Sequence, residues 1–465
     1  MAFAKGLRRA LRVTATALCL GGLAAPAWAQ SLGDALVGAY RHSALLDQNR
    51  AVLRASDEDV AQAMARLRPV VQWSLTHEFQ YTSMTEEWRR SSAATLGAQM
   101  TLFDWGRSQI QIDMAKESVM ATRYQLLAIE QDVLFSAVRA FMDVRSAAEQ
   151  VALQRNSLRV IGQEEDAARA RFEVGEITIT DVALAGARVA GARAGLSAAE
   201  GQLEIARENY TAAVGARPGD LAAPPPLPQR PASLEAAQRT AQATHPGVLQ
   251  AQRQVAVAEL AVAAANTERS PTLSGSAGVS VRNTPDGMGG HATVGGAQVG
   301  LDLSQTLYSG GRLSSASRQA MAQRDAARSA LLQGSRQVAQ SVATAWANID
   351  IANAQISAIR QQIEAARQAY SGVREEAQLG ARTTLDVLDA EQSLLSAQAD
   401  LISAEASLQL AHYQLLAAMG LLTVEHLQLG IPTYDPSANY NAVSNAPYTS
   451  RQGENLDRVL DRLRR

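Results

Sequence analysis

Cysteine is almost missing from this chain of 465 residues: the one that occurs is Cys19. Disulfide scaffolds and thiolate metal sites are excluded on that ground. A surplus of charge is missing too, with 43 Lys and Arg against 45 Asp and Glu. Nucleic-acid binding, which needs basic excess to neutralise phosphates, is therefore not expected. Histidines are few and scattered (His42, His77, His245, His291, His412, His426), with no HExxH pattern. The glycine pairs Gly289-Gly290 and Gly295-Gly296 lie in or beside a strand pattern, not ahead of a helix. Neither a zinc centre nor a phosphate loop follows. No catalytic constellation, cofactor or resident metal is expected, so the chain is not read as an enzyme. Hydrophobic residues make up 47%, too many for a disordered chain and too few for a multi-span helical membrane protein.

Residues 1–29 have the form of a secretory signal peptide. Lys5, Arg8, Arg9 and Arg12 precede an apolar stretch from Val13 to Ala25, and Ala27-Trp28-Ala29 is a small-x-small cleavage site. Leu18 ahead of Cys19 is not small, so a lipid anchor is not expected.

The rest of the chain is duplicated. Ser31 to Pro69 aligns without gaps on Ser233 to Pro271. Leu102-Phe103-Asp104-Trp105-Gly106-Arg107 aligns on Leu307-Tyr308-Ser309-Gly310-Gly311-Arg312, and Val174 to Val182 on Leu379 to Val387. The first repeat takes residues 30–215, with strands over 70–104 and a helical hairpin over 105–215. A Pro-rich linker takes 216–231. The second repeat takes 232–425, with strands over 272–307 and a hairpin over 310–420. A polar tail, 426–465, is assigned no structure. Each repeat opens on a helix, over 32–66 and 234–268, that Pro69 or Pro271 stops.

The strand segments alternate with period two. Val71, Trp73, Leu75, Phe79 and Tyr81 share one face; Gln72, Ser74, Thr76, Glu78 and Gln80 share the other. The segments 93–104, 272–283 and 294–305 repeat the pattern, with an apolar face against a small or polar one. Such segments of ~10 residues mark a transmembrane barrel, although a soluble sandwich hairpin shows the same alternation. Four strands cannot close a barrel, and open edges are not tolerated in hydrocarbon. Several chains must then contribute, and a duct favours three chains over two.

The long helices, over 105–172 and 310–377, would each run ~100 Å. The second carries 3-4 spacing at Val338, Val342, Ala345, Ile349, Ala352, Ile356 and Ile359, a coiled-coil seam. The closing helices repeat such a seam. One reads Val182, Ala185, Val189, Ala192, Leu196, Ala199, Leu203, Ala206, and the other repeats it 205 positions on, from Val387 to Ala411. Gly175 and Gly380 punctuate helix ends, and Asp181 and Asp386 follow in the next helix's first turn. Asp386 and Asp389, three apart, share a helix face.

These residues resemble the TolC family of outer-membrane exit ducts over about 31–425. The most specific parts are Arg171-Phe172-Glu173-Val174-Gly175 to Thr180-Asp181-Val182 and the run from Leu379-Gly380 through Arg382 to Asp389-Ala390, with His245-Pro246 as a first-helix motif. The resemblance implies a mainly α fold with a transmembrane β part: a homotrimer whose 12-stranded barrel in the outer membrane continues into a 12-helix coiled-coil barrel in the periplasm. It implies a passive conduit for multidrug efflux or type I secretion, docked on a periplasmic membrane-fusion adaptor and an inner-membrane ABC or RND-type transporter. It assigns Asp386 and Asp389 to a periplasmic entrance ring that could hold cations, and Arg382, Asp181 and Thr180 to a gate lock. Val174, Gly175, Leu379 and Gly380 become adaptor-contact turns. Ala377 stands where the type member has a tyrosine. Trp73, Tyr81, Phe103, Trp105 and Tyr308 are read as membrane-interface aromatics. The competing reading is a periplasmic coiled-coil adaptor or structural protein that never enters the membrane.

Overall fold

The computed structural model describes residues 30–83, 87–285, 290–443 and 458. The expected signal peptide, Cys19 and most of the tail beyond residue 443 lie outside the described residues. Helices α1 (Leu32–His42) and α2 (Ala44–Ala65) lead into strands β1 (Val70–Thr82) and β2 (Glu87–Phe103), then helices α3 (Arg107–Glu173) and α4 (Ile179–Val214). The same order follows in α5 (Leu234–Thr244), α6 (Pro246–Thr267), β3 (Thr272–Pro285), β4 (His291–Ser304), α7 (Arg312–Gln378) and α8 (Thr384–Ala418), with α9 (Pro436–Val443) last. Helices α3 and α7 are each 67 residues long. Among the described residues no helix is long and apolar enough to cross a membrane.

Both opening helices, expected to be continuous, are broken. Ser43 sits outside the helix (φ −70°, ψ 107°) and its hydroxyl accepts the Leu46 N–H, starting α2 afresh. His245 is extended (ψ 122°) because the Pro246 ring excludes helical backbone from the residue before it.

The four strands form one antiparallel sheet in the order β1-β2-β3-β4. Its register aligns apolar residues across all four strands: Val71, Ala98, Ala277 and Val299 form one row, and Trp73, Leu96, Val279 and Ala297 the next. The opposite face carries Gln72, Gly97, Gly278 and Gln298, then Ser74, Thr95, Ser280 and Gly296. A bulge between Thr101 and Phe103 adds a residue to β2 and sets Phe103 opposite Leu273, so alternation does not continue through Leu102. Strand β4 ends at Ser304, short of the expected 307, which leaves Tyr308 in the connector to α7. That connector turns on left-handed Gly310 (φ 60°) and Gly311 (φ 88°). The matching turn of the first half uses Trp105 (φ 54°) and Gly106 (φ 85°). A side chain is thus held in backbone that costs roughly 1–2 kcal/mol without glycine.

The chain gathers into two compact units. Among the described residues, one holds those up to His42, Ala137–Leu227 and Ile359–Ala406; the other holds Ser43–Ser136, Pro228–Ala358 and those from Ser407. In the first, Ile161 and Ala168 of α3, Ala185 and Val189 of α4 and Leu388 of α8 make one core. In the second, which contains the sheet, Leu53, Val60 and Val119 form a core with Tyr434 and Tyr440 against it. The tail therefore has structure as far as Val443. Arg50 lies over the Tyr434 ring (5.5 Å), Arg123 over Tyr440 (5.4 Å), and Asn439 Nδ2 donates to Asp57 Oδ2 (2.9 Å).

The expected seams lie on packed helix faces, fully buried at some positions and half-buried at the rest, such as Leu196 on α4 and Leu394 and Leu401 on α8. Val338, Val342, Ala345, Ile349, Ala352 and Ile356 of α7 are buried; Ile359 is half-buried and Ile363 takes over. Ala185, Val189, Leu203 and Ala206 are buried on α4, and Val387, Ala397, Ala404 and Ala411 on α8. The linker is extended and tied down early: Gln30 N–H donates to the Asp220 carbonyl, and Ala222 N–H to the Gln30 carbonyl, both at 2.9 Å.

Candidate functional site

Two helical turns in the first unit hold most of the singled-out residues. Helix α3 ends on Gly175 (φ 79°), with Glu176 N–H donating back to the Arg171 carbonyl (2.9 Å). Helix α7 ends on Gly380 (φ 77°), with Ala381 N–H donating to the Glu376 carbonyl (2.9 Å). Only glycine adopts this closure without strain. Val174 (72%) and Leu379 (86%), beside these glycines, expose their side chains. Ile179 and Phe172 are exposed nearby.

Thr178 caps α4. Its hydroxyl accepts the Asp181 N–H, while the Asp181 carboxylate accepts from the Thr178 N–H (3.0 Å) and hydroxyl (2.8 Å), a capping box. Thr383 and Asp386 make the same contacts at the start of α8 (3.0 and 2.9 Å). These bonds hold both carboxyls below their ordinary range, and Arg382 adds to the effect at Asp386. Their stabilisation is present above the usual carboxylate pKa and fades as pH falls through the lowered value. The cap hydroxyl belongs to Thr178, not to Thr180, which is exposed. Thr178→Ala should cost about 1 kcal/mol in thermal unfolding, and Thr180→Ala should leave the midpoint unchanged.

Arg382 Nε donates to Glu376 Oε2 (2.9 Å), and among the described residues no ion pair joins Arg382 to Asp181. Asp389 pairs with Arg188 of α4 (2.5 Å). Ala377, at the tyrosine position of the type member, is buried. Contacts that connect the hairpin α3–α4 to the hairpin α7–α8 include Arg188 to Asp389, Arg374 to Glu164 (3.3 Å), the Ser157 hydroxyl to Glu391 Oε1 (3.3 Å), and the Gln150 side-chain amide to the Ala399 carbonyl (3.0 Å). Arg188, Glu376, Arg374, Glu164, Ser157 and Glu391 were not foreseen. Only Glu391 had a local signal: Leu388, Glu391 and Leu395 form a second buried row beside the Val387 seam. No group of three or more His, Cys, Asp or Glu that could hold a metal occurs among the described residues.

In the second unit, the aromatic residues sit at both ends of the sheet. Phe103 and Trp105 meet edge-on (4.6 Å) at the end joined to the long helices; Tyr81 and Trp88 meet at the hairpin end (5.5 Å). Trp73, Tyr81, Phe103, Trp105 and Tyr308 are all exposed, and so are Leu75, Val299, Leu301 and Leu303 of the apolar face.

This architecture has known counterparts. The chain matches the sequence model of a family described as Outer membrane efflux protein, over residues 37–216 and 237–421. It is 34% identical to the outer membrane efflux protein BepC of Brucella suis over 421 residues, 90% of this chain and 91% of BepC. It is 26% identical to the outer membrane protein TolC of Vibrio cholerae, covering 81% of this chain and 88% of TolC. The crystal structure of CusC superposes with a TM-score of 0.75 at 18% identity, over 84% of this chain and 92% of CusC, which establishes the shared fold. The resemblance carried by the two helical turns is borne out: the chain belongs to the outer membrane efflux protein family and is a protein of the outer membrane.

Proposed function

We propose that three copies of this chain assemble into a passive exit duct, a 12-stranded barrel through the outer membrane continued by 12 helices in the periplasm. The observation that carries this reading is the four-stranded sheet. Its apolar face is exposed on every strand, and β1 and β4 end it without a partner strand among the described residues. Unpaired strand edges in hydrocarbon leave backbone groups unsatisfied at several kcal/mol each, so the edges must meet those of further copies. Cargo arrives from an inner-membrane ABC or RND-type transporter through a periplasmic adaptor, and the adaptor seats on the exposed Val174–Gly175 and Leu379–Gly380 turns. No step uses nucleotide or a cofactor of this chain's own. Asp386 and Asp389 form the entrance ring. The Arg382–Asp181 lock forms between copies, since within one chain Arg382 is held by Glu376. Adaptor docking then lets the helices untwist outward.

Membrane fractionation tests the assembly. A detergent-resistant trimer in the outer membrane supports the duct, and a soluble periplasmic monomer overturns it in favour of an adaptor-like protein. In planar bilayers the double variant Arg382→Ser, Asp181→Ala should raise single-channel conductance several-fold over wild type. Unchanged conductance would remove these residues from the gate. Cysteine variants at Gly175 and Gly380, crosslinked in cells, should co-purify an adaptor.

A further inference from the structure

Glu391 is a carboxylate in the wrong surroundings. It is 6% exposed, on α8 two residues past Asp389. From α3, Ser157, also buried, gives one oxygen a hydrogen bond, and Glu164 adds a second negative charge. From α7 come Tyr370 and Arg374, and Arg374 is committed to Glu164. From α4, Arg188 is committed to Asp389. The second carboxylate oxygen, Oε2, is buried with no hydrogen-bond partner among the described residues. Two carboxylates therefore share one arginine, and the deeper of them lacks an acceptor's due of donors. A charge in that position is costly, and a proton on Oε2 removes the cost.

We propose that Glu391 is a proton-operated latch of the periplasmic gate: protonated it lets the hairpins α3–α4 and α7–α8 close on each other, and ionised it drives them apart. The proposal rests on the duct reading given above and names a regulator of that gate. Its direction follows from where Glu391 lies. Separating the hairpins breaks the Ser157, Arg374 and Arg188 contacts together and admits water to the carboxylate. The closed seam prefers the proton and the open seam the charge, so rising pH favours opening. Burial, with Glu164 adding to it, pushes the Glu391 carboxyl from 4.5 up to about 7. Full hydration on opening would return it to the lower value. The closed-to-open ratio then changes by at most roughly 70-fold per chain between pH 5 and pH 8.

Single-channel recordings of the purified full-length protein, without adaptor, at pH 5 and pH 8 test this. Wild type should gain open-state occupancy by tens of fold at the higher pH. Glu391→Gln keeps the shape and cannot ionise, so it should stay at the acid-side level at both values. Asp386 and Asp389 remain in this variant, so their own titration cancels in the comparison. Ser157→Ala removes a bond that favours the charged form, and should move the midpoint to higher pH. A Glu391→Gln channel that follows wild type, or a Ser157→Ala midpoint that does not rise, would overturn the latch while leaving the duct intact. Failure of wild type to form any channel would overturn the duct and the latch with it.

Discussion

Gly420→Ala is expected to destabilise the protein by about 3 kcal/mol or more. Gly420 closes α8. Its N–H donates to the Ala417 carbonyl and the next N–H, of Leu421, to the Leu416 carbonyl, both at 2.9 Å, in left-handed backbone (φ 76°). That conformation alone costs a side chain roughly 1–2 kcal/mol. The α5–α6 break lies directly against it. A Cβ on residue 420 would stand 2.7 Å from the Thr244 carbonyl oxygen and 2.7 Å from His245 Cα. Both are backbone atoms, so no rotamer change relieves the clash, and the Thr244 hydroxyl bond to the Met419 carbonyl (2.6 Å) would have to stretch. Gly175→Ala provides the comparison. It has a similar φ with nothing within 4 Å of the added methyl, so only the backbone cost of about 1 kcal/mol applies. Chemical denaturation of the two variants should differ by about 2 kcal/mol. Equal losses would mean that the close approach at residue 244 is relieved elsewhere.

The same region shows where reading the sequence stopped. The strands and the closing helices were legible because their apolar periods, two and three-four, run over many residues and recur in both halves of the chain, about 200 positions apart. The break at Ser43 was not, because apolar spacing continues through it and only the cap hydroxyl interrupts the helix. His245-Pro246 was noticed as a motif, yet its local consequence, an extended residue before proline, is what splits α5 from α6. Tyr434 and Tyr440 looked like members of a polar tail; their anchors, Arg50 and Arg123, lie hundreds of residues away. The turns behaved similarly. Gly175, Gly380, Asp181 and Asp386 announce helix ends by type and position alone. Arg188 and Asp389 lie 201 positions apart and Ser157 and Glu391 lie 234 apart, so nothing in either local pattern points to its partner. Residues whose role is set by one helix were readable; those set by the meeting of two hairpins were not.

Arg230→Ala should cost about 2 kcal/mol, more than most single changes to a partly exposed charged residue, because Arg230 fastens the end of the linker through two different surfaces of one group. The guanidinium carbon lies over the Trp346 indole, 3.5 Å from the ring centroid. Its two terminal nitrogens meet both oxygens of Asp350, at 2.6 and 3.2 Å. Trp346 and Asp350 are four apart on α7, so one helix face presents the ring and the carboxylate together. Stacking and the two-pronged bond demand the same flat, delocalised cation. Lysine retains the charge but neither the plane nor the fork, and Arg230→Lys should recover less than half of the loss. Trp346→Leu should remove the stacking share while Asp350 still binds. The pH dependence separates the two parts. Hydrogen bonding to Arg230 holds the Asp350 carboxyl below its ordinary range. The pair therefore contributes above that ordinary range and is lost as pH falls through the lowered value. The gap in thermal midpoint between wild type and Arg230→Ala should be widest near neutral pH and narrow in acid towards the stacking part. A gap that is constant from pH 7 to pH 3 would leave the indole as the whole of the anchor and assign the Asp350 contact no net stabilisation.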